Sequence, residues 1–126
     1  MRQIKANEIR LGNLFAVNGF PMSVEAIFKD TVYLNFEGNE GDVWEENIKD
    51  LVLIPLTEEI LIKAGFEKES FSFYLYKDFI IRKIRESDKQ WRVILRHKDL
   101  NDIEYLHQLQ NLYFALTGEE IKIELV

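Results

Sequence analysis

Cysteine is absent from the 126 residues, which removes disulfides, thiolate metal centres and cysteine nucleophiles together. Histidine occurs twice, at His97 and His107, with no HExxH or comparable ligand spacing. The acidic stretch GNEGDVWEEN lacks the oxygen-ligand order of a calcium loop. No metal and no cofactor is therefore expected. With two prolines, six glycines and 47% apolar residues, the chain has no linker-like segment and is expected to be compact throughout. No window approaches the roughly 18 apolar residues of a membrane span. The opening MRQIKANEIRLGN also lacks the apolar run of a secretory signal. These absences predict a soluble cytoplasmic protein with no membrane partner. The GxSxG elbow, phosphate loop and dinucleotide fingerprint are missing too, so the expected function is non-enzymatic. An enzyme would need a dispersed site, for which His97 and His107 are the candidates.

Sixteen basic and twenty-two acidic residues give a net charge of −6, which opposes nonspecific attraction to a polyanion. The balance is uneven. Residues 77–98 hold eight Lys and Arg against Asp78, Glu86 and Asp88, while acids gather in EGNEGDVWEEN at 37–47.

From Leu11 to Leu56 the pattern is one of short strands and tight turns. NLFAV runs into Asn18-Gly19, a hairpin dipeptide. MSVEAIF then alternates Val24, Ala26 and Phe28 against Ser23, Glu25 and Ile27, and Lys29-Asp30 turns into TVYLNF. Four or five strands in so short a segment predict a small SH3-like antiparallel barrel over residues 1–56, since closure removes exposed sheet edges.

Pro55 ends that run. Thr57 is placed to cap a short helix, EEILIKA, and Gly65 to stop it, with Phe66 folding back on Leu61. Residues 57–126 then read as an α+β layer: helix, a three-strand meander (FSFYLY, FIIRKIRE, WRVILRHK), helix, and a last strand, EIKIELV. The two parts are expected to pack as one compact unit.

The second helix is predicted to begin with Asn101 as N-cap and Glu104 completing a capping box, and to stop at Gly118. At 100° per residue its apolar side chains, from Ile103 and Tyr105 to Phe114 and Leu116, cover a wide arc suited to packing on the sheet. His107 falls at the edge of this arc and Gln110 within it, a polar pair at its rim. If SDKQ is the loop of the second hairpin, one sheet face carries Phe71, Phe73, Leu75, Ile80, Arg82, Val93 and Leu95, and faces the helix. The other shows Tyr74, Tyr76, Lys83, Arg85, Arg92, Arg96 and Lys98, a cationic and aromatic surface. Such a face suits packing against the N-terminal barrel or a second copy of the chain, with the Lys and Arg tips reaching solvent, then a protein partner or, less directly, single-stranded nucleic acid stacking on the rings.

The segment YLHQLQNLYFALTGEEI, the IRLGN start and the IPLTEEIL joint together resemble small proteins of Bacteroidetes genomes and their phages or mobile elements. The resemblance implies a phage or mobile-element setting and carries no activity and no functional residues; the expectation of a protein-interaction module rests on the ample core and the missing chemical motifs.

Overall fold

Asn18 and Gly19 hold backbone φ of 51° and 83°, the left-handed pair that a two-residue hairpin turn needs and that Asn and Gly adopt at little steric cost. The computed structural model describes residues 4–36, 39–70, 73–83, 85 and 87–125. On either side of this turn β1 (Leu14–Val17) and β2 (Phe20–Ile27) pair antiparallel, and β3 (Thr31–Asn35) and β4 (Trp44–Asn47) continue the meander in the order β1-β2-β3-β4. The sheet curls into a half-barrel. After β4 a 3-10 turn, Ile48–Asp50, redirects the chain, and Val52 bridges back to β1, its carbonyl accepting from Ala16 N at 3.0 Å. Phe15, Val17, Val24, Val32, Leu34, Ile48 and Leu51 fill the interior, with Ile4 and Ile9 beside them.

The alternation expected along MSVEAIF breaks at a bulge between Val24 and Ala26. An extra residue there shifts the phase of the strand, so Ile27 packs on the core while Phe28 is exposed.

Chain contacts divide the molecule into two units, Met1–Ile54 with Leu106–Gly118, and Pro55–Tyr105 with Glu119–Val126. The partition expected at residue 56 took no account of the return of the last helix to the first unit. That helix, α2 (Leu106–Thr117), begins five residues later than Asn101. Asn101 lies instead in a strand the sequence reading did not contain, β9 (Lys98–Ile103). Two-strand pairing with β8 (Trp91–Leu95), in register Trp91↔Ile103 and Arg92↔Asp102, outweighs the local capping pattern.

The second unit opens with α1 (Glu58–Lys63). Thr57 Oγ1 accepts from Ile60 N at 3.3 Å, Gly65 takes φ 98°, and Phe66 N donates to Leu61 O at 3.0 Å, closing the helix as its sequence predicts. A five-stranded meander follows: β5 (Glu67–Ser70), β6 (Phe73–Tyr76), β7 (Phe79–Arg82), β8 and β9. The sequence reading had three strands here. It also placed a strand over EIKIELV, where residues 119–125 form none, although Ile121 and Ile123 are buried.

The β7–β8 register is Phe79↔Leu95, Ile81↔Val93 and Arg82↔Arg92, three residues from the pairing of Arg82 with Leu95 that a SDKQ loop requires. An odd shift exchanges the faces. Tyr74, Tyr76, Phe79, Ile81, Trp91 and Val93 therefore share the buried side, while Arg82, Arg92 and Ile94 lie on the other. Phe71, assigned to the same face as Phe73, lies outside the described residues, as do Ile84 and Glu86 of the expected hairpin. Within this unit Phe66 packs on Tyr76 at 5.3 Å and Trp91 Nε1 donates to Leu56 O at 3.0 Å.

The β8–β9 turn uses Arg96 and His97 at φ 51° and 69°, an unfavourable conformation for side chains with a Cβ. Replacing the pair by Asn-Gly (R96N with H97G) is expected to stabilise the protein by about 1 kcal/mol. The shift of the urea midpoint checks this.

Candidate functional site

The residues proposed as one cationic and aromatic surface are dispersed. Tyr74 is buried against Trp91, ring centroids 5.6 Å apart. Tyr76 lies on the same side, its ring occupied by Phe66. Lys83 sets its ammonium over the Trp91 ring at 4.4 Å. Arg92 projects from the opposite face, and its guanidinium is held by Asp102 at 2.6 Å and Asp99 at 3.0 Å. These carboxylates, Asp102 foremost, raise the Arg92 pKa above its ordinary value. Arg85 is tied to Asp88 in the loop after β7, Arg96 stands in the β8–β9 turn 3.7 Å from Asp78, and Lys98 is exposed at the start of β9. The stacking platform of alternating rings and cations is not assembled on one face.

His107 and Gln110 are not at a rim. Both are buried, at 1% and 4% exposure. Because α2 starts at Leu106, its buried arc comprises Leu106, His107, Leu109, Gln110 and Tyr113, whereas Phe114 and Leu116 are exposed. His107 packs on the Phe15 ring at 5.2 Å; His97, its partner in the dispersed-enzyme reading, is exposed in a turn of the other unit.

Gln110 completes a backbone. Its Oε1 accepts from Leu14 N at 2.9 Å and its Nε2 donates to Gly12 O at 3.1 Å. Next to it, Asn111 Oδ1 accepts from Asn13 Nδ2 at 2.8 Å and Asn111 Nδ2 donates to Glu8 O at 2.8 Å. Asn13 Oδ1 accepts from Arg10 N at 2.7 Å, and the Arg10 guanidinium lies 3.9 Å from the Phe114 ring centre. The IRLGN and HQLQN stretches are thus joined by their polar side chains.

The sequence reading missed a further surface on the first unit. Phe20, Phe36 and Trp44 are 59%, 44% and 45% exposed. Trp44 stands opposite Leu34, and Leu34 opposite Val24; strand alternation therefore puts Phe20 and Trp44 on the same face as these core residues. Phe36 follows β3, and its ring meets that of Phe20 edge-on at 6.3 Å. Buried Asn35 fixes this end. Its Oδ1 accepts from Phe36 N at 2.8 Å and from Asn39 Nδ2 at 2.9 Å, while its Nδ2 donates to Asn39 O at 3.2 Å. The Trp44 indole donates to Glu46 Oε2 at 3.4 Å. Glu40, Asp42 and Glu45 flank the rings in sequence and are exposed. In the sequence the stretch GNEGDVWEEN stands out only for its acids; Phe36 and Trp44 beside those acids are the available signal.

Comparison of the chain with protein-family models, curated proteins and solved structures finds no match. Among the described residues, no group of three or more carboxylates and imidazoles is placed to hold a metal ion, and no helix is long and apolar enough to cross a membrane.

Gln110→Leu leaves the buried Leu14 amide and the part-buried Gly12 carbonyl without their partner, and is expected to destabilise the protein by about 2 kcal/mol in urea denaturation. Glu58 carries a pH signature. The Lys68 ammonium at 2.8 Å, then the Tyr74 hydroxyl, hold its carboxyl below the ordinary carboxylate range. A lowered folded-state pKa stabilises above the unfolded value of about 4.3, and this contribution is lost as pH falls through the lowered value. The stability difference between wild type and Glu58→Gln should be constant near neutrality and shrink below about pH 4.3, as read from denaturation across that range.

Proposed function

We propose that this chain is a non-enzymatic protein-interaction module, with Phe20, Phe36 and Trp44 as the contact surface for a basic segment of a partner protein. The carrying observation is the exposed edge-on pair of Phe20 and Phe36, with exposed Trp44 at the start of β4 beside the same end of β3. Isolated exposed apolar residues are ordinary, but grouped ones mark interaction surfaces, and Trp and Phe are favoured there. The acids beside them select the partner's charge by complementarity and speed its approach.

We read the half-barrel as SH3-like. The four-strand meander, the 3-10 turn after β4 and the return of Val52 to β1 support this. A phage or mobile-element setting rests on the resemblance of the IRLGN and YLHQLQNLYFALTGEEI segments, and the expected cytoplasmic location on the composition.

Trp44 supplies the assay, since the other tryptophan, Trp91, is 3% exposed. Titration with a peptide alternating Lys or Arg with Leu and Phe is expected to change Trp44 fluorescence saturably, and the response should weaken with salt. The joint change Phe20→Ser and Phe36→Ser should abolish it while the fold is retained. No saturable change up to about 1 mM peptide, or an equal response to the same peptide carrying Glu for Lys and Arg, would count against the reading.

A further inference from the structure

A cavity of about 570 Å³ lies in the first unit, between the N-terminal segment, the β2–β3 turn and the 3-10 turn after β4. It is at the far end of β3 and β4 from the aromatic lip. Ile4 and Ile48, both members of the buried core, line it together with Lys5, Lys29, Lys49 and Asp30. The backbone on either side is fixed by Ile48 N donating to Asp30 O at 2.9 Å.

Three lysines from three separate segments converge on one cavity of a chain whose net charge is −6. Other cations of the described chain, such as Lys63, Lys68 and Arg92, are spent on carboxylates, but none of Lys5, Lys29 and Lys49 forms an ion pair among the described residues. Three like charges gathered about a single described carboxylate, Asp30, repel one another, and an anion between them relieves that repulsion.

We infer that this cavity binds a small organic phosphate. Lysine presents a compact point charge that suits the several oxygens of a phosphate, whereas planar carboxylates favour the fork of arginine, which is missing among the described residues of this lining. Three ammonium groups against the single Asp30 carboxylate match a dianion. The volume falls in the range of small-molecule sites and exceeds what phosphate alone would fill. Ile4 and Ile48 offer the remaining space to the apolar part of the ligand.

The inference is independent of the peptide-binding lip, and methyl NMR of Ile4 and Ile48 tests it directly. Adenosine monophosphate and glucose 6-phosphate distinguish a nucleotide from a sugar phosphate, with adenosine, glucose and inorganic phosphate as the separating arms. At least one organic phosphate is expected to shift both isoleucine methyl signals saturably, more tightly than inorganic phosphate, and its uncharged counterpart to leave them in place. Lys29→Gln with Lys49→Gln should weaken binding about tenfold or more, and Asp30→Asn should strengthen it. The lysines are exposed and unpaired, so the variants should keep the spectrum of the folded protein. The inference is overturned if neither organic phosphate shifts Ile4 and Ile48 up to about 5 mM, if inorganic phosphate binds as tightly as both, or if the folded lysine variant binds like wild type.

Discussion

The side chain of Gln110 sets the terms for the first unit. The residues entering β1 must bury their backbone, yet Leu14 N–H and Gly12 C=O both take the Gln110 amide as partner. An amide can supply the acceptor and the donor together, and only from the correct height along α2. Sliding the helix by one turn would strand the buried Leu14 amide and leave the Gly12 carbonyl without its partner, a loss of about 2 kcal/mol. Asn111 repeats the restriction one residue on, through Asn13 and the Glu8 carbonyl. Satisfied buried polar groups of this kind define a single arrangement more sharply than apolar packing does; one turn away, the His107 ring packs against Phe15.

The second unit solves a different problem, an excess of positive charge on neighbouring strands. Arg82 and Arg92 stand directly opposite one another, a pairing that is unfavourable unless counter-charges are near. β9 supplies Asp99 and Asp102 to Arg92 on the same exposed face. Asp99 and Asp102 thereby occupy Arg92, while Arg85 and Arg96 meet Asp88 and Asp78 within the stretch 77–98 itself.

What could be read in the sequence was local. Asn18-Gly19, the Thr57 cap and the Gly65 stop each act within a few residues, and each formed as written. The start of α2 was misread because Asn101 and Glu104 make a plausible cap whose rival, pairing of β9 with β8, depends on a turn that uses Arg and His where Asn and Gly are the usual signal. That one omission moved the helix boundary, added a strand and, with the longer β7–β8 loop, reversed the faces. Gln110 was visible within the helical arc, but its partners lie 96 to 98 residues away. Phe20, Phe36 and Trp44 looked like core by composition; their exposure depends on where a curled sheet ends, which no local pattern records.

The division of the chain also orders events during synthesis. Strands β5 to β9 lie in the continuous stretch 67–103, but the half-barrel, made first, needs a helix encoded at 106–117. At about 5–20 residues per second, strands β1 to β4 spend on the order of several seconds translated but without the helix that satisfies Leu14 and Gly12. Of the two units the half-barrel therefore waits the longer for its missing segment, and its apolar face must be sheltered or tolerated in the interval.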